Sequence, residues 1–436
     1  MSRPDLAISG KLFVEGEFSQ GAVLVKGERV VDILSTSEVP SSVDHVEFGD
    51  LWVLPGLVDV HVHLRDLEET HKENFESGTS AAVAGGFSTV LAMPNTRPRL
   101  DCPERLENAM EAAEGQVLCD VGFHCGLPSS AEHAEGMIHK GAFAIKLYPE
   151  DLSALFEGKA SCGVSELGRT GATLYIHAED ERCVEERRSS LGAPLRGTTM
   201  HGQVRPPECE VKAIGRVLAD LSRSPLHFAH ITTRGGIDIL RPRLESRRAS
   251  AEATVHHLFM TSADASQLGG VAKVNPPLRG ARDVEALRGA VNQGIVPVIV
   301  TDHAPHSVDE KREEDYDRIP PGGPGLETAL SAVLKLASDQ QLGLAEALNC
   351  MTKSPARRFG LKDKGSIGPG FASDLTVVDP KEKWTVKPEL FFSKAKYSLL
   401  QGKELLGRVK TTMVRGRIAY EDGYASKGKF GKVLRK

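Results

Sequence analysis

Long apolar runs are missing from this chain, as are C-x-x-C pairs, short repeats and any excess of positive charge. No stretch approaches the 18 or so apolar residues of a membrane-spanning helix, and the amino terminus has no apolar core followed by a small-residue cleavage site. A cytoplasmic protein with no membrane partner is therefore expected. The cysteines, at 102, 119, 125, 162, 183, 209 and 350, are odd in number and scattered, which argues against a disulfide framework or a cysteine-held structural zinc. A formal charge of -5 gives no electrostatic reason to expect nucleic acid, and Lys427, Lys429, Lys432, Arg435 and Lys436 read as a solvated tail.

The composition, 40% hydrophobic and 26% charged, is that of a folded globular protein. A chain of 436 residues accommodates a barrel of about 250 residues with one modest accessory domain. Short strands are predicted at 6–9, 11–14, 21–26, 29–33 and 45–48, and again at 375–378, 407–414 and 416–420. Neither set has enough apolar surface for a stable sheet, so residues 1–53 and 365–436 are expected to meet in one small β domain. Between them, residues 54–364 alternate strands with helices. Eight strands fall in order at 58–63, 88–93, 120–125, 142–147, 173–177, 226–230, 251–256 and 296–302, with helices at 73–84, 103–113, 208–222 and 283–292 and two more after the last strand. That count predicts a (β/α)8 barrel, whose chemistry sits at the carboxyl ends of its strands.

The first barrel strand reads P-G-L-V-D-V-H-V-H-L-R-D from Pro55 to Asp66. Alternation puts His61 and His63 on one face, where two neutral imidazoles can share a cation such as zinc. Arg65 has the same parity and can hold a substrate carboxylate beside it. Lys146, His177, His230 and Asp302 end strands four, five, six and eight. Four histidines with an aspartate and a lysine at one predicted rim are not explained as core filling. An ammonium would be repelled by nearby cations. Carboxylation of Lys146 by carbon dioxide removes the conflict, since a carbamate has two oxygens that can bridge two metals. The alternative is an ion pair with Glu150 or Asp151.

H-V-H-L-R at 61–65, M-P-N-T-R-P at 93–98, K-L-Y at 146–148, H-A-E at 177–179, N-P-P-L-R at 275–279, D-H-A-P-H at 302–306 and G-P-G-L-E-T at 323–328 resemble the dihydroorotase family of the amidohydrolase superfamily, in order and over nearly the whole chain. The resemblance implies a two-zinc centre: His61, His63 and Asp302 on one ion, His177 and His230 on the other, and N6-carboxylated Lys146 bridging. It implies that Arg65, Asn95 and His306, with His63, bind the substrate carboxylate, while Asn275 and the backbone at Pro321 and Gly322 bind the ring or ureido group. The substrate pair would be N-carbamoyl-L-aspartate and dihydroorotate, with Asp302 as general base and acid in a step of pyrimidine synthesis. A homodimer is compatible with the sequence. Where the family often has Pro-Gly after the acidic residue that follows the arginine, this chain has Leu67 and Glu68, so that loop must turn differently.

His256, His257 and His303 read as supporting residues, Asp59 as an orienting hydrogen-bond partner, Cys125 as inert and residues 148–156 as a lid. The rival readings are an allantoinase or hydantoinase, which would use the same metals on another ring, and a scaffold protein that has lost catalysis.

Overall fold

A computed structural model describes residues 4–192 and 194–436. The eight barrel strands are Leu57–Val62, Phe87–Ala92, Asp120–Phe123, Ile145–Leu147, Leu174–Ile176, Leu226–Phe228, Ala249–Thr254 and Val298–Val300. Every residue in them is buried. A parallel strand covered on both faces has no solvent side, which is why these segments read as apolar runs rather than alternations. Strands one to three and four to eight pair in parallel as two arcs. The arcs join at both seams: Lys146 N–H donates to the Cys125 carbonyl at 2.7 Å, and His63 N–H to the His303 carbonyl at 2.7 Å, so the sheet closes into a barrel.

Strands from both chain ends form one eight-stranded sheet beside the barrel. At its centre Leu375–Thr385 pairs antiparallel with Asp44–Pro55, which in turn runs parallel to Leu6–Val14. This is the small β domain built from both termini. Two of the expected strands, 6–9 and 11–14, are one strand. Gly10 between them is a point of close approach, not a turn: a Cβ there would lie 2.8 Å from Val53 Cγ2, and the pairing register shifts beside it.

Several helices have no clear signature in the sequence, among them Ala131–His139, Glu181–Leu191, Gly197–Val204 and Arg234–Glu245. The last contains Gly235, Gly236 and Pro242, residues that oppose helix and are outweighed here by burial of Ile237, Leu240 and Leu244. One expectation needs correction. Cys183 and Cys209 form a disulfide, with Cα atoms 5.5 Å apart. The pair lies 26 residues apart in sequence at the starts of two helices, so no local spacing announced it.

The two domains are tied by buried charges. Asp120, the first residue of barrel strand three, accepts from Arg415 Nε at 2.9 Å and Nη2 at 2.7 Å, and pairs with Lys364 at 2.6 Å. Lys364 also reaches Asp374 at 2.6 Å, whose other oxygen takes the Arg415 backbone N–H. Removing one partner of such a cluster leaves the others desolvated and uncompensated. Asp120→Ala should therefore lose about 3–5 kcal/mol of stability, read as a lower denaturant midpoint. An unchanged midpoint would mean that water replaces the carboxylate there.

Candidate active site

The barrel brings the predicted residues to one rim. His61 lies in strand one with His63 just beyond it, Lys146 in strand four, and His177, His230 and Asp302 one or two residues past strands five, six and eight. Asp302 Oδ1 is 3.1 Å from His63 Nε2 and 3.3 Å from His61 Nε2, and ligand atoms of these three residues all lie within 4.8 Å of one another. The His177 and His230 rings meet edge to face at 4.4 Å, and the His230 ring is 5.3 Å from that of His61. His230 and Asp302 adopt positive φ, +29° and +47°, a conformation that costs energy in a non-glycine residue and is found at functional sites.

Burial holds the His61 and His230 pKa values well below the ordinary imidazole range, and those of His63 lower too, so the rings present lone pairs. Against the upward push of its own burial, His61 and His63 keep Asp302 ionised. Lys146 is fully buried and its Nζ has no hydrogen-bond partner, lying 4.5 Å over the Tyr175 ring. The alternative ion pair is absent: Asp151 instead pairs with Arg99 and accepts from the Tyr148 N–H at 2.9 Å. Burial lowers the Lys146 pKa to about 8, leaving a fraction of free amine at neutral pH. Neutral imidazoles and an ionised carboxylate gathered at one point, with an orphaned amine and an orphaned His230 Nδ1 on the same cavity, fit a metal centre.

A cavity of about 290 Å³ opens above this cluster. Arg65, Asn95, Asn275, Pro321 and Gly322 line it together with all six candidate ligands. His306 does not line it; it stands behind Arg65, 3.2 Å from Nη2, and also meets the Pro321 carbonyl at 3.1 Å. Asn95 Oδ1 accepts from His63 Nδ1 at 2.6 Å. The changed loop after Arg65 is visible in three successive residues of positive φ, Arg65, Asp66 and Leu67. Asp66 stabilises the turn by accepting from the Leu67 and Phe75 N–H groups.

His303 and His257 are buried and engaged with Gly325 N–H and the Pro276 carbonyl, while His256 lines a different, smaller cleft. Asp59 accepts from the backbone N–H of His61 and of Thr301, both at 3.0 Å. The thiol of Cys125 is buried and pushed up to about 12. The segment Pro149–Phe156 is a helix held at its start by Asp151.

Sequence reasoning missed Glu252. This fully buried carboxylate on strand seven meets His61 Nδ1 at 2.5 Å and His227 Nε2 at 3.0 Å, and also takes the Tyr175 hydroxyl and the His230 N–H. It fixes the His61 tautomer so that Nε2 faces the cluster. An acidic residue inside the apolar run A-S-A-E-A-T was the available signal. Glu179 and Arg205, which pair at 2.7 Å beside His177, were missed as well.

Residues 237–419 match the family model described as amidohydrolase family, and residues 51–146 the one described as dihydro-orotase-like. The chain is 33% identical over 96% of its length to a dihydroorotase from Thermococcus kodakarensis, covering 95% of that protein. It is 32% identical to a dihydroorotase from Mycobacterium leprae, with 94% and 96% of the two chains covered. Among solved structures it superposes on the L-hydantoinase (dihydropyrimidinase) from Arthrobacter aurescens with a TM-score of 0.91 at 25% identity over 100% of both chains. The dihydropyrimidinase from Brevibacillus agri, at 22% identity, 98% of both chains and a TM-score of 0.86, shares the fold.

Loss of the Glu252 charge should loosen His61. Glu252→Gln is expected to weaken metal retention by roughly 10- to 100-fold, measured as bound zinc after dialysis against graded chelator. Retention equal to the parent protein would assign Glu252 to packing alone.

Proposed function

Because the chain belongs to the dihydroorotase family of the amidohydrolases, we propose that it interconverts N-carbamoyl-L-aspartate and (S)-dihydroorotate plus water, as a cytoplasmic step of pyrimidine synthesis. The observation that carries this reading is Arg65. Its guanidinium lines the cavity, is 6% exposed, donates only to the Pro305 carbonyl and His306, and makes no ion pair among the described residues. A buried cation of this kind calls for an anionic substrate, which dihydroorotate is and hydantoin is not.

In this reading residues 54–364 are the catalytic barrel and residues 1–53 and 365–436 the accessory domain. His61, His63 and Asp302 would hold one zinc and His177 and His230 a second, with Lys146, once carboxylated, contributing a carbamate to both. When bound, the pair of ions supplies an activated water at neutral pH and polarises the ring carbonyl. Arg65 orients the substrate carboxylate, and Asn95 acts alongside it while holding the His63 ring. Asn275 and the backbone at Pro321 and Gly322 take the ring or ureido edge. His306 works through Arg65, whose Nη2–H its Nε2 accepts, rather than from the cavity surface. Asp302, ionised and 3.1 Å from His63, takes the proton of the attacking water at a carboxylate oxygen and returns it to the departing ring nitrogen. In the reverse direction the same two positions run backwards.

The similarity to a solved L-hydantoinase supports a second reading, a hydrolase of uncharged cyclic amides. Side-by-side assay of dihydroorotate, allantoin and hydantoin separates the two. Turnover of dihydroorotate alone is expected, abolished by chelator, and Arg65→Met should lower its kcat/KM by roughly tenfold or more. Preference for hydantoin would overturn the assignment.

Carboxylation needs the free amine of Lys146. Since burial lowers that pKa to about 8, the amine fraction falls as pH drops below 8 and approaches completeness above it. At equal dissolved carbon dioxide, reactivation of metal-stripped protein by zinc should accordingly be slower at pH 6 than at pH 8.5. A rate that does not change with pH would exclude carbamate formation as the slow step.

A further inference from the structure

Three of the substrate groups proposed above, Asn275, the Pro321–Gly322 backbone and the His306 behind Arg65, sit on loops that meet at one side chain. Lys311 ends the short helix Val308–Lys311 and is 3% exposed. Its ammonium donates to the carbonyls of Lys273 at 3.2 Å, Pro320 at 3.0 Å and Gly322 at 2.9 Å. Three acceptors match the three protons of an ammonium. The Lys273 carbonyl, two residues before Asn275, also accepts the Gly322 N–H at 2.9 Å. Pro320 and Gly322 flank Pro321, whose carbonyl meets His306.

The Gly322 N–H on the Lys273 carbonyl and the Ala304 N–H on the Gly323 carbonyl pin one edge of this backbone, and Lys311 adds the Pro320 and Gly322 carbonyls. Gly322 sits at a φ of +127°, where a Cβ would fall 2.6 Å from the Ala304 carbonyl oxygen, so glycine is required and local preference does little to fix the turn. Tyr397 adds a further fastening, its hydroxyl accepting from the His306 N–H at 3.2 Å. Burial and the neighbouring Lys273 charge bring the Lys311 pKa down to about 7, with the Glu310 carboxylate opposing the shift, so the three-donor ammonium is fully populated only below neutral pH. An apolar side chain would fill the same space without that desolvation cost, so packing does not account for a lysine here.

We propose that Lys311 is a positioning residue for substrate selection: its buried ammonium locks the 273–275, 305–311 and 320–322 segments into the arrangement that presents Asn275, Pro321 and Gly322 to a ring bearing a carboxylate. This rests on the dihydroorotate reading for the identity of the ring and on geometry alone for the locking of the loops.

The test uses zinc-loaded full-length protein, Lys311→Met, and Lys311→Gln, which keeps donors without the charge. Hydrogen exchange should rise in Lys311→Met at 272–276, 305–311 and 319–323 and nowhere else. KM for dihydroorotate and the Kd for orotate should rise roughly tenfold or more, with kcat and bound zinc within about twofold of the parent, and Lys311→Gln should recover part of the loss. Unchanged exchange, or a parallel fall of kcat, zinc content and affinity, overturns the proposal, as does failure of both variants to fold. If the parent protein binds no orotate while exchange rises as expected, the substrate reading fails and the locking role stands.

Discussion

The seam between the first and last barrel strands is the constraint on which the site depends. His61 and His63 stand on one side of it and Asp302 on the other, about 240 positions apart in the chain, yet their ligand atoms must share a single point. Parallel strands without a covalent turn between them have their register set by side chains. Here Asp59 does it, one carboxylate oxygen accepting the His61 N–H and the other the Thr301 N–H, with the His63 N–H on the His303 carbonyl above. A slip of one residue would turn both histidines to the opposite face.

Beneath the rim the barrel interior is unusually polar for a packed core. Glu252, Tyr175, His227 and His124 fill the layer under His61, and Phe359 closes it from below through ring contacts to Tyr175, His227 and His124. Glu252 satisfies His227, Tyr175 and His61, while His124 Nε2 meets the Val60 carbonyl, and the Glu252 contact fixes the His61 ring. Rigidity at the site and the cost of burying polarity are two consequences of one arrangement.

Much of this was legible in the chain, for a reason specific to the fold. Each barrel strand is a short β-branched or apolar run, and the residue that ends it lies at the chemical rim, so His61, His63, Lys146, His177, His230 and Asp302 could be placed by order alone. What escaped was whatever depends on distance in space rather than position along a strand. Glu252 faces inward in mid-strand and acts on three other strands; Glu179 and Arg205 meet across a helix with weak periodicity; Cys183 finds Cys209 only after two helices dock. The same limit applies to His306, whose motif suggested direct contact with substrate and whose side chain stands one step back, against Arg65.

Arg65 shows how such a site tolerates sequence change. With Leu67 where the family often has proline, the turn after the strand takes three consecutive positive φ values, the third at Leu67, a conformation that a proline ring could not adopt. The guanidinium is nevertheless held from outside the turn, by the Pro305 carbonyl and His306 on the loop after strand eight. That loop is in turn fastened through Tyr397, whose hydroxyl accepts the His306 N–H. The position of the charge is thus set from the loop after the neighbouring strand eight as well as from its own turn.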